Sequence, residues 1–106
     1  MIKLAAKRRS VKTTAHNHAF FAAMACPDKV TWTNDIQKLF TATDIAHMKT
    51  VLNIDLGNYE SVKINAVRIY SAVASGHMPP AGSGEQPWPA DWVNTFGCWI
   101  KQNCPQ

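Results

Sequence analysis

Asp44 and His47 stand one helical turn apart in the stretch Thr43-Asp44-Ile45-Ala46-His47-Met48. At that spacing two side chains share a helix face. A carboxylate so placed orients an imidazole and raises its basicity, as a general base or a metal ligand requires. The plainer reading gives Asp44 the first turn of the helix and makes His47 a hydrogen-bonded, half-buried histidine. His77-Met78 precedes Pro79-Pro80, and a residue before proline is held extended. Met78 reads as a filler of core space, which methionine does readily, and His77 as a loop residue beside it. His16-Asn17-His18 joins His47, His77 and Met78 in a set of copper- or zinc-type ligands. Nothing in the sequence brings those positions together, and a histidine pair two residues apart diverges, so no metal site is expected. There is no nucleophile motif and no phosphate loop, which leaves proton transfer as the accessible chemistry.

The elements that must position these residues are helical. Residues 1–15 read as a polar, basic arm, and Ala15–Met24 has helical character up to the break at Pro27. Val30-Thr31-Trp32 is a short extended approach. Asn34 is suited to cap a helix carrying Ile36, Leu39 and Phe40 at helical spacing. Thr43 is suited to cap the next, which buries Ile45, Met48 and Leu52. Asn58 opens the longest helix, with Tyr59, Val62, Ala66, Ile69, Tyr70 and Val73 on its apolar face, and Gly76 ends it. Pro79 to Pro87 is a loop rich in proline and glycine. Pro89 starts a last helix that repeats Trp92, Val93, Phe96, Trp99 and Ile100. The expected class is all-α, with four to five short helices. The expected organisation is an arm over 1–29 and a helical domain over 30–106.

Composition narrows the partners. The 106 residues carry a formal charge of +4, and Lys3, Lys7, Arg8, Arg9 and Lys12 crowd the first twelve with no acid among them. This is a basic tail, read as a solvated arm. It lacks the interleaved aromatics of a nucleic-acid reader, so no specific nucleic-acid partner is expected. No apolar run approaches the roughly 20 residues of a membrane span. Ala19 to Ala25 follows basic residues like the core of a secretory signal, but the run is short, and a cytoplasmic location is expected. Cys26, Cys98 and Cys104 form no paired motif. Reduced, buried thiols are the default, with a Cys98–Cys104 bridge open if the chain turns back.

Residues about 30–105 resemble the cytochrome c-like fold. The resemblance runs through Asn34-Asp35-Ile36, Asp44, His47-Met48, Tyr59-Glu60-Ser61-Val62, Gly76-x-Met78-Pro79-Pro80, Trp88-Pro89 and Trp99-Ile100. Thr43-Asp44-Ile45-Ala46-His47 stands where such a protein carries C-x-x-C-H. Thr43 and Ala46 hold the two cysteine positions, so thioether attachment of haem is impossible. The resemblance therefore implies a haem-free member, similar to a small bacterial family with Asp-x-x-His-Met at that place. At most it implies a non-covalent haem held by His47 and Met78. The vacated cofactor space implies a pocket near Met48, His77, Met78, Trp88, Trp92 and Phe96. Trp88, between two prolines and outside any periodic stripe, is a candidate lid or partner contact.

Three functions follow. The first is a binding or accessory protein that holds a small apolar molecule, or docks a partner enzyme, through that pocket. The second is a small acid–base enzyme of isomerase, cyclase or lyase type using His47 and Asp44. The third is electron transfer with haem between His47 and Met78.

Overall fold

The computed structural model describes residues 19–26 and 28–106. The basic residues of the arm, and His16 and His18 with them, lie outside the described residues. Among the described residues the chain is helix and loop without a strand. Helix α1 spans Ala42–Leu52, α2 Tyr59–Ile64, α3 Ala66–Ser75 and α4 Ala90–Lys101. Two tighter or looser turns precede them, a π-helical turn Trp32–Ile36 and a 3₁₀ turn Gln37–Leu39.

The first of these turns corrects the expected Asn34 cap. Thr31 is extended (φ −125°, ψ 158°) and its side chain accepts from Asn34 N–H. Asp35 Oδ2 accepts from Thr31 N–H at 2.9 Å. This exchange spans four residues rather than three, and both Asp35 and Ile36 N–H groups donate to the Thr31 carbonyl. The turn is thereby widened, and Trp32 and Ile36 both end in the core.

Helix α1 starts at Thr41, not Thr43. The Thr41 hydroxyl accepts from Asp44 N–H and the Asp44 carboxylate accepts from Thr41 N–H, a complete capping box. The acid three residues after Thr41 decides the start, since a cap at Thr43 has no such partner. Asn53, in the left-handed conformation at φ 56°, ends the helix.

The long helix expected from Asn58 to Ser75 is two. Asn58 caps α2 as expected, its side chain accepting from Ser61 N–H. At Asn65 the backbone leaves helical geometry (φ −99°, ψ 15°), and the Asn65 amide donates to the Ser61 carbonyl at 2.9 Å. Asparagine competes with the helical ladder in this way. The apolar stripe continues across the break: Val62, Ala66, Ile69 and Val73 are all buried. Gly76 then ends α3 at φ 85°.

Helix α4 packs against α3 and the π-helical turn. Trp99 and Phe96 are fully buried at its centre, joined by Ile36, Leu56, Val62 and Ile69. The C-terminal tail turns under this layer. The Trp99 indole N–H and Trp32 N–H both donate to the Pro105 carbonyl, at 2.8 and 2.9 Å. The Tyr59 hydroxyl donates to the Cys104 carbonyl at 2.5 Å.

The cysteine expectation is overturned. Cys26 and Cys98 are bridged across 72 residues, and Cys104 is a free, buried thiol. Cys98 sits inside α4 facing the segment 19–26, while Cys104 lies past the helix end in a left-handed turn (φ 53°) and faces the core. Burial pushes the Cys104 thiol up to about 11, so it stays protonated at neutral pH. Segment 19–26 lies on α3 and α4 through this bridge and through Phe21, which meets Tyr70 edge to face. Gly97 permits the approach, because a Cβ there would stand 2.5 Å from Met24 Sδ.

Candidate functional site

A cleft of about 400 Å³ opens between the start of α1 and the start of α4. Thr41 and Asp44 contribute from the α1 capping box, and Glu85 comes from the loop between α3 and α4. The opposite wall is aromatic and apolar, formed by Trp88 and Trp92 with Pro79, Pro87 and Pro89.

Thr41 holds the two carboxylates in place. Its hydroxyl donates to Glu85 Oε1 at 3.0 Å and accepts from Asp44 N–H at 3.1 Å. Its N–H donates to Asp44 Oδ2 at 3.2 Å. Asp44 is fully buried, and its Oδ1 has no hydrogen-bond partner among the described residues. Burial raises the Asp44 pKa above its ordinary 3.8, and the Glu85 charge raises it further. The Thr41 hydrogen bonds and the nearby His47 oppose this without reversing it. A carboxyl of this kind is poised to hold or give up a proton nearer neutrality than an exposed aspartate does.

The expected Asp44–His47 pair is therefore altered. Both are on α1 and His47 bears on the Asp44 charge, but Asp44 spends its hydrogen bond on Thr41 and does not orient the imidazole. His47 is half-buried and is not part of the cleft lining. The carboxylate that Asp44 shares the cleft with is Glu85. Sequence reasoning missed Glu85 because it lies 41 residues on in a proline- and glycine-rich loop, and the one available signal was the Thr41-x-x-Asp44 box.

The expected pocket residues divide. Trp88 and Trp92 line the cleft. Met48, Met78 and Phe96 are core residues, at 5%, 2% and 0% exposure. His77 is exposed, its Nδ1 3.0 Å from the Ser75 hydroxyl. Trp88, expected as a lid or partner contact, is instead buried against Phe40 and Phe96 at ring separations of 5.6 and 6.1 Å. Trp92, expected in the pocket, is 39% exposed and meets Trp88 edge to face at 5.8 Å.

The residues do not fit a haem between His47 and Met78. Met78 is closed into the same core as Phe40, Trp88 and Phe96, and neither His47 nor Met78 lines the cleft. Among the described residues no three of His, Cys, Asp and Glu converge as a metal-ligand set. No described helix is long and apolar enough to cross a membrane.

No family model matches the chain, and no solved structure matches it. Its similarity is to fungal cyclopenases. A cyclopenase of Penicillium thymicola and one of Emericella nidulans are each 33% identical to it over 89 residues, or 76% of the chain. The chain spans 12% of the length of these curated relatives. The relatives are fungal, whereas the sequence alone pointed to a bacterial family.

Proposed function

We propose that the cleft beside Asp44 binds a small, flat, largely apolar molecule and moves a proton on it, as an acid–base enzyme of isomerase, cyclase or lyase type. The observation that carries this is the Asp44 carboxyl, fully buried with one oxygen unpartnered among the described residues and lining a cleft walled by two tryptophans. Asp44 holds the proton, Glu85 supplies the second carboxylate, and His47 acts on Asp44 only through its charge. The similarity to two enzymes favours this over a purely binding role. The scaffold is a haem-free member of the cytochrome c-like fold, supported by the order of the helices and by Gly76-x-Met78 directly after α3. The Cys26–Cys98 bridge favours an oxidising compartment over the cytoplasm.

A second reading is an accessory module that serves a larger enzyme. The restriction of the similarity to 12% of each relative favours it.

The neutral probe 5-nitrobenzisoxazole separates the two. A carboxylate base takes its ring C–H proton, the N–O bond breaks, and the electron pair leaves on oxygen as a coloured cyanophenolate. The acid–base reading expects turnover above the buffer rate, rising as pH passes the Asp44 pKa and falling at least about tenfold in Asp44→Asn. An Asp44→Asn rate equal to that of the unmodified chain would contradict it. The accessory reading expects no turnover from the chain alone.

A further inference from the structure

We infer that the molecule this cleft takes is an organic cation, a primary or secondary ammonium carried on an aromatic or other apolar ring. The inference rests on the reading of the cleft as a binding site and adds the chemical class of its occupant. Among the described residues the cleft lining holds Asp44 and Glu85 and no basic side chain. This runs against the overall charge of +4. Thr41 holds both acids, its hydroxyl donating to Glu85 Oε1 and its N–H donating to Asp44 Oδ2.

Asp44 is fully buried, with Oδ1 unpartnered among the described residues. A buried carboxylate oxygen left without a partner is costly, and an N–H donor from a bound ligand removes that cost. A cation does so best, because a charge-assisted hydrogen bond is roughly twice as strong as a neutral one. The aromatic wall decides between an inorganic and an organic cation. The Trp92 ring is 39% exposed and stands edge to face with the buried Trp88. An accessible indole thus lines the same cleft as the two carboxylates, a combination that suits ammonium groups through the ring quadrupole. A volume of about 400 Å³ admits one or two fused rings with a short amine arm.

Benzylammonium and its neutral counterpart benzyl alcohol test this at pH 7.5, read by the shift of the Trp92 indole N–H resonance. Benzylammonium is expected to bind at least about tenfold more tightly than benzyl alcohol. Asp44→Asn combined with Glu85→Gln should bring benzylammonium close to the affinity of the alcohol, and Trp92→Ala should weaken both. Equal binding of the two probes to the unmodified chain overturns the cation assignment while leaving the cleft a site for neutral molecules. Displacement of benzylammonium by calcium chloride at matched ionic strength overturns it in favour of an inorganic cation. Failure of either probe to bind, with the fold intact by circular dichroism, overturns both this inference and the reading of the cleft on which it rests.

Discussion

Asp44 does two jobs that pull in opposite directions. One carboxyl oxygen closes the capping box of α1 and favours the charged form; burial of the whole group favours the neutral form, and burial prevails. The consequence for stability has a definite sign. A carboxyl whose pKa is higher in the folded chain than in the unfolded chain binds more protons when folded. Its contribution is therefore full below about the ordinary value of 3.8 and is lost as pH rises through the raised value. Asp44→Asn keeps the shape and one acceptor for Thr41 N–H but does not ionise. Thermal melts from pH 3 to pH 8 should accordingly show the unmodified chain losing stability relative to Asp44→Asn as pH rises. Parallel curves for the two proteins would mean that Asp44 titrates as an ordinary exposed acid.

At the scale of elements, the apolar periodicities were legible and the exact starts and breaks were not. The stripe Val62, Ala66, Ile69, Val73 and the pair Phe96, Trp99 were readable from spacing, and all six are buried. The helix starts depended on reciprocal hydrogen bonds. Thr31 with Asp35 and Thr41 with Asp44 outcompeted the nearer caps Asn34 and Thr43, because each pairs a hydroxyl with an acid that bonds back. The break at Asn65 is a side chain bonding its own helix, which no apolar pattern records. The candidate site was half legible for the same reason. Asp44 and its aromatic wall stand out by residue type, but the partner Glu85 is delivered by a loop whose path is set by tertiary packing. His47 drew attention through its spacing from Asp44, yet the capping box had already taken that carboxylate. Trp92 shares the apolar spacing of Phe96 and Trp99, but it falls in the first turn of α4 and is 39% exposed, while the loop residue Trp88 is buried.

Across the whole molecule, the cross-link ties the segment before the helices to the last helix. The Cys26–Cys98 bridge closes a span of 72 residues that includes the capping box, the cleft and most of the core. A loop of that length lowers the entropy of the unfolded chain by an amount worth about 4 kcal/mol in the chain-entropy description. That is a large share of the stability of a domain of this size. Replacing both cysteines, Cys26→Ser with Cys98→Ser, should lower the denaturant midpoint by an amount corresponding to about 2–4 kcal/mol. Urea titrations of the two proteins check this, and an unchanged midpoint would mean that the bridge contributes nothing to the fold. Cys104 is expected to stay unreactive toward thiol reagents as long as the fold is intact, since it is buried and its thiol is held protonated. The cleft lies between the starts of α1 and α4, so its shape depends on how those two helices are held. The proposed proton transfer there rests on the buried Asp44 carboxyl.

The central claim is that Asp44 is a buried, partly unpartnered carboxyl that holds its proton abnormally long. Carbon-13 NMR of the aspartate carboxyl carbons, followed from pH 2 to pH 8 with Asp44→Asn as the assignment control, reads this directly. The account predicts an Asp44 midpoint clearly above 3.8 that falls when benzylammonium is added. A midpoint at or below 3.8, unmoved by the probe, would contradict it.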